Sequence, residues 1–483
     1  MTLTDPAYVR SGATWPPVSE KARIRRAEDN LRLYRGDFSL LDATPPDATQ
    51  LRFQAANGVP QRRITVNSFR WISKLWSDLV FGAPPVLDYL DVGEAEADSV
   101  LRRLKLVTPS LVKAGRALVK DCIRYGCGVF ICRRPGMVEI VDPRFWFPLT
   151  APDDLNDVRG HIIAYPFISD PNSLRIDGTT PRGTARAVGS STPDRVRVHR
   201  FLMDMEGVWT CQSATFHYDG SSLGTMLGDW EAMPCAQPPV TKVQLEGDDI
   251  YGESIFDDLR SHVTEINRRE TSLSEALDKH ADPHLAVPEG SLQVDAQGRV
   301  ILNKKGMAIF VPDGASNPEY IVWDPKFDAH VAAILRAERR IVSLGAISQI
   351  LVNTGASDES NRIYLPSGVA LRRLALTTVQ RILAYRSDLE EPMQMIVRGA
   401  LSDQFALESD RINIGWPPPL DNNGPDDTDE LVSLIEAGVI DRVAAAQQVA
   451  QVPRREAERI VAEAMPVEPR PAAMPMQEPN GDA

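Results

Sequence analysis

The sequence lacks the GxxxxGK[ST] phosphate loop, the HExxH zinc helix, the GxSxG nucleophile turn and the calcium-loop spacing, which removes the common signatures of nucleotide and ester hydrolysis. Cysteine is scarce: Cys122, Cys127, Cys132, Cys211 and Cys235 form an odd set without the CxxC pairs of a zinc site, so buried thiols are expected. No run approaches the roughly 18 apolar residues of a membrane span. The opening Met1-Thr-Leu-Thr-Asp-Pro6 has no basic and then apolar pattern, so a cytoplasmic location is expected. Cations are in deficit, with a net charge of −13 and a pI near 5.2. That argues against a broad basic grip on nucleic acid, but a polyanion could still slide along an acidic wall.

What is present is a 483-residue chain, 43% hydrophobic and 25% charged, long enough for two to four structural units. It is organised around residues 251–345, which read as helix, small strand module, helix. Ile255, Leu259, Val263, Ile266, Leu273 and Leu277 recur at helical intervals with charged residues between them, and Phe327, Val331, Ile334, Ile341 and Gly345 repeat the spacing after an Asp324-Pro325 start. These narrow apolar stripes have too few partners in one chain and are expected to find them in other copies. Between the helices, residues 284–287, 299–302 and 307–311 are short β-type runs separated by glycine turns.

Before this stretch, the spacing predicts helices over 19–34, stopped at Gly36, over 71–80, halted by Gly82-Ala-Pro-Pro85, and over 94–125. Strands are predicted at 129–132, 137–141, 161–165, 195–199 and 208–211. Phe69, Trp71 and Trp76 could stack bases, though helical spacing favours a core role. After it, 346–366 is polar and weakly patterned, 369–389 is a long helix, 411–416 a strand, and 428–464 a helical unit. Residues 466–483 have a disordered composition.

Candidate chemistry is thin. His280-Ala-Asp-Pro-His284 offers two imidazoles and a carboxylate, but Pro283 breaks the helix that would align them. Asp153-Asp154, Asp248-Asp249 and Asp257-Asp258 could serve metal-dependent phosphoryl chemistry, yet adjacent positions point apart and read more simply as solvated faces. No catalytic residue, metal site or cofactor is assigned, and an enzyme is not expected.

Several short motifs recur in an informative order: Tyr34-Arg-Gly36, then Arg63-Ile-Thr-Val-Asn67 with a helix ending Leu79-Val-Phe-Gly-Ala-Pro-Pro85, then Tyr125-Gly-Cys-Gly128 leading to Val141-Asp-Pro143. Tyr251-Gly-Glu-Ser254 opens one long helix and Pro366-Ser-Gly-Val-Ala-Leu371 another. In that order, over residues 19–464, the chain resembles the portal proteins of tailed bacteriophages, of the Siphoviridae type. The resemblance implies an α+β subunit with a mixed wing (1–250), a stem of two helices (251–280 and 326–345) around a small β-rich clip (281–325), a tunnel loop (346–366), a long helix and wing strand (367–416), a helical crown (417–465) and a disordered tail (466–483).

It also implies a homo-oligomeric ring, a dodecamer, at one capsid vertex, in the virion and in the host cytoplasm during assembly, with no membrane. Double-stranded DNA would pass through it without sequence specificity. Partners would be the terminase large subunit, a head-tail adaptor, and the major capsid and scaffolding proteins. On this resemblance Asn353, Thr354, Ser357, Asp358, Glu359, Asn361 and Arg362 face DNA, and Arg299, Lys304 and Lys305 in the clip dock the motor or adaptor. Ile255, Leu259, Val263, Ile266, Leu273, Val331, Ile334 and Ile341 form the subunit interface. Two other classes stay open: a metal-dependent nuclease or other DNA-processing enzyme resting on the Asp and His clusters, and a scaffold that never touches DNA.

Overall fold

A computed structural model describes residues 9–41, 64–89, 94–134, 137–151, 157–169, 193–204, 206–233, 239–247, 249–281, 285–288, 308–311, 319–320, 327–348, 368–401, 411–419, 441–450 and 454–464, with single residues at 435 and 452. The chain is α+β, with a mainly helical core that also takes in the strand residues Leu87, Phe130, Val243, Ile412 and Ile414, and two smaller cores built on the sheets.

Helix α1 (Lys21–Arg35) ends at Gly36, whose φ of 92° suits a glycine. Helix α2 (Ser68–Val80) begins where the Asn67 side chain accepts from the Arg70 amide at 2.9 Å. Strand β1 (Val86–Tyr89) precedes α3 (Glu94–Tyr125), which has the predicted limits. Then come β2 (Cys127–Arg134), β3 (Met137–Val141), β4 (Trp146–Thr150), β5 (Val158–Phe167), β6 (Arg195–Met203), β7 (Trp209–Tyr218), β8 (Leu223–Met233) and β9 (Val240–Gln244). Strands β4 to β8 form an antiparallel meander, and β3-β2-β9 a smaller antiparallel sheet. Period-two alternation sends Ile162, Ala164, Val196 and Val198 toward Trp15 on one face of the meander, while Ile163 and Phe201 meet Val129, Ile131 and Val240 of the smaller sheet on the other.

Helix α4 (Ile255–Ala281) leads to a three-stranded sheet of β10 (Leu285–Pro288), β11 (Ala308–Val311) and β12 (Glu319–Tyr320), in which β10 pairs parallel with β11 and antiparallel with β12. Helix α5 (Phe327–Leu344) returns alongside α4. Helix α6 (Gly368–Leu401) runs twelve residues past its predicted end, through Pro392, and β13 (Ile412–Gly415) closes onto β1. Two short helices follow, α7 (Arg442–Ala450) and α8 (Arg454–Ala464).

Several expectations are corrected. Cys211 is disulfide-bonded rather than a thiol, while Cys122, Cys127 and Cys132 are free and buried. In α6, Leu383 is half exposed. The buried stripe there is Ile382, Tyr385, Leu389, Met393, Ile396 and Val397, while Leu376 is exposed with Leu383. Phe69 and Trp76 are fully buried and Trp71 is 38% exposed, so the three aromatics make no common platform.

Candidate functional site: the α4–α5 pair and its anchors

The pair is held at its base by two of the motifs read from the sequence. At Tyr125-Gly126 the chain leaves α3, and at Tyr251-Gly252 it approaches α4. Both glycines have positive φ, 97° and 65°. A Cβ on Gly126 would lie 2.6 Å from the Gly252 carbonyl, and one on Gly252 would lie 2.5 Å from Gly126 O, so this crossing is closed to any other residue. Ser254 then fastens α4 to the end of α3: its hydroxyl lies 2.6 Å from Arg124 O and 3.0 Å from Ile123 O, and accepts from the Phe256 amide at 3.2 Å. Buried Asn30 of α1 donates to Arg124 O at 2.7 Å and accepts from Arg260 of α4, also at 2.7 Å. One asparagine thus ties three helices through groups that would be costly to leave unpaired.

Charge is buried beside this crossing. Arg124 pairs with Asp121 one helical turn back and stacks over the Tyr34 ring at 4.6 Å. Burial pushes the Asp121 carboxyl up to about 6, with Arg124 opposing the shift. In the adjoining sheet core, Trp146 Nε1 donates to His161 Nδ1 at 3.1 Å and Trp209 stacks on the same ring. Burial takes this imidazole down to about 3 and keeps it neutral.

The base of the pair is built into the subunit. Ile255, Leu259, Val263, Ile266 and Ile341 belong to the main helical core, and Ile334 is also buried. The expectation that these stripes lack partners within one chain is therefore corrected for all six, which are buried within the subunit, five of them in the core that residues of α1, α2, α3 and α6 share. Leu273 is half-buried. Of the eight residues assigned to the interface, Val331 is exposed, at 43%, and it is joined by Leu277 at 51%, part of the first stripe but not of the assigned interface, and by Leu335 at 43%, which had no place in either stripe. Leu335 follows Val331 by four positions, a helix-face signal present in the sequence.

The far end of α5 has its own anchor. Ala346 amide donates to Ser343 O and Ile347 amide to Val342 O, both at 3.0 Å, with Ala346 at a φ of 51°. This is a Schellman stop with alanine at the left-handed position, one residue after Gly345. Thr378 of α6 accepts from the Ser348 amide at 2.7 Å and donates to Ala346 O at 3.2 Å, while Trp76 Nε1 donates to Gly345 O at 3.1 Å.

Asn353, Thr354, Ser357, Asp358, Glu359, Asn361 and Arg362 lie outside the described residues, as do Arg299, Lys304 and Lys305 and most of the 280–284 histidine segment. Among the described residues, no group of three or more His, Cys, Asp or Glu could hold a metal ion, and no helix is long and apolar enough to cross a membrane.

No family model matches this chain, and no curated protein matches it. Among solved structures it is similar to a chain in the "neck of native GTA particle computed with C12 symmetry", at 14% identity and a TM-score of 0.35, over 83% of this chain and 90% of that one.

Proposed function

We propose that the chain is a portal subunit. Twelve copies close into a ring at a capsid vertex, DNA is driven through the axis by the terminase large subunit and later leaves by it, and a head-tail adaptor attaches below. The observation that carries this reading is the construction of the α4–α5 pair. A 27-residue and an 18-residue helix, joined through a small sheet, are rooted in the subunit core, while Leu277, Val331 and Leu335 stay uncovered. A rigid base with an uncovered apolar shaft suits packing against neighbouring copies, as a closed ring provides. The fastening of Gly345, Ala346 and Ser348 by Trp76 and Thr378 suits a tunnel loop, 346–366, whose start is held at a fixed place on the channel wall. In this reading β10–β12 and the lysines at 304 and 305 meet the motor and the adaptor, and the capsid and scaffolding proteins surround the wing.

The test is the mass of the purified protein in solution, with images down the particle axis. The expected result is a closed ring with a discrete mass near twelve times the 53.4 kDa chain. A strictly monomeric species at every micromolar concentration overturns the reading.

A further inference from the structure

We infer that the outer face of α3, with Lys74 of α2 beside it, binds the phosphate backbone of double-stranded DNA at a place separate from the channel. The choice of partner rests on the DNA-handling reading above; the geometry does not. From residue 99 to 120 the sequence has no acidic residue and six cations, Arg102, Arg103, Lys105, Lys113, Arg116 and Lys120, in a chain whose net charge is −13. Their placement follows helix geometry. Leu104, Leu111 and Leu118 are buried in the main core at intervals of seven, and Arg102, Leu106, Pro109, Lys113, Arg116 and Lys120, spaced by four and three, run along the opposite side. Arg102 and Lys113 are exposed, and Arg116 and Lys120 are half-buried. At a rise of 1.5 Å per residue the row is roughly 27 Å long.

Helix α2 extends the row. Ser77 Oγ donates to Arg116 O at 3.2 Å, and Gly115 leaves room for the Phe81 ring, so exposed Lys74 comes to lie near Lys120. Arg116 donates to Phe81 O at 2.8 Å, which fixes its guanidinium in the row. Burial lowers the Lys120 ammonium; Asp78 opposes that shift, and Arg116, Lys74 and Arg124 add to it. Among the described residues Arg102, Lys113, Lys120 and Lys74 form no ion pair.

The composition of this face favours nucleic acid over protein. Protein interfaces are depleted in lysine and centred on clustered apolar and aromatic anchors, whereas the exposed large apolar side chains here are one on each helix, Leu106 of α3 and Trp71 a turn before Lys74 on α2. An unpaired row of cations gains affinity from phosphates by releasing their counterions.

The experiment measures binding of the full-length protein to closed circular duplex DNA, which cannot thread a closed ring and so reports outer surfaces, across a salt series. Replacing Arg102, Lys113 and Lys74 by Gln should weaken binding at least tenfold and reduce the slope of log K against log salt by about 3, at ~0.9 per phosphate contact. Replacing exposed Lys21, Arg25 and Arg35 by Gln removes the same charge from α1 and should change neither. No wild-type binding at 50 mM salt, or equal losses in the two triple variants, overturns the inference. Unchanged binding with altered particle mass also overturns it, assigning the face to another copy of the chain. The masses of the same samples test the ring reading separately, since a monomer that binds through this face would sink the ring and leave the inference standing.

Discussion

Ala346 holds a backbone conformation that costs an L-residue roughly 1–2 kcal/mol, at the point where the chain leaves α5 for the segment assigned to the channel wall. Strain of this kind persists where surrounding bonds over-determine it, and here Thr378, Trp76 and the Schellman pair do so. Ala346→Gly should therefore raise unfolding stability by up to about 1 kcal/mol, the relief of strain being partly offset by glycine's larger unfolded-state freedom; an unchanged denaturation midpoint would show that the site carries no strain. A second residue-scale effect is the pH dependence of two buried groups. His161, at about 3 folded against about 6.5 unfolded, contributes stability that is present above pH ~6.5 and is lost as pH falls toward 3. Asp121 has the opposite sign: raised to about 6, it contributes stability that is present below its unfolded value near 4 and is lost as pH rises through 6. Between about 4 and 6 the two slopes cancel. Asp121→Asn should uncover the histidine, with stability falling on acidification below 6.5 by up to about 1.4 kcal/mol per pH unit. A flat profile in that variant would mean His161 titrates normally.

At the scale of elements, the α4–α5 pair divides into a buried base and an exposed shaft, and substitutions should separate them. Ile266→Asp places a carboxylate in the main core, where several kcal/mol are lost, and should collapse the melting transition. Leu335→Asp, on the exposed shaft, should leave the transition within about 0.5 kcal/mol of wild type while reducing the large oligomer. If Leu335→Asp leaves particle mass unchanged, the shaft is not the interface. This division was not legible in the sequence, because Ile266 and Leu277 share one helical stripe and periodicity says nothing about which turn of it meets α1, α2 and α3. Elements with strong periodicity were legible: α3 has its predicted limits, and Gly36 and Gly126 stand at the positive-φ stops their neighbours required. Strands β4, β8 and β9 were missed for physical reasons. Pro148 interrupts β4, Gly228 and acidic residues break the alternation of β8, and β9 is five residues of mixed polarity recognisable only by its pairing with β2. The Ser254–Asn30–Arg260 tie was beyond reach because Asn30 is more than 200 residues from both of its partners in the chain.

At the scale of the whole molecule, an acidic chain proposed to conduct DNA must combine weak contact in the channel with firm placement of the element that makes it. Tight phosphate contacts would trap a sliding genome, while a wall making no contact would not retain it. The composition of 346–366 fits that compromise. Asn353, Thr354, Ser357 and Asn361 can form short-lived hydrogen bonds, Arg362 is the segment's cation, and Asp358 and Glu359 offset it. Twelve copies of Arg362 would make a basic ring, whose pull is limited by the two acids beside it and by screening over roughly 8–10 Å at physiological salt. The anchors on either side are built without the middle of the segment: the Schellman stop and Thr378 fix its start, and α6 is packed through Ile382, Tyr385 and Leu389. Deleting residues 355–360 should therefore leave ring mass and melting temperature unchanged while lowering the DNA retained in filled heads, measured by protection from nuclease. Full retention without these residues would remove the segment from the channel wall, and a loss of the ring itself would instead place it between subunits.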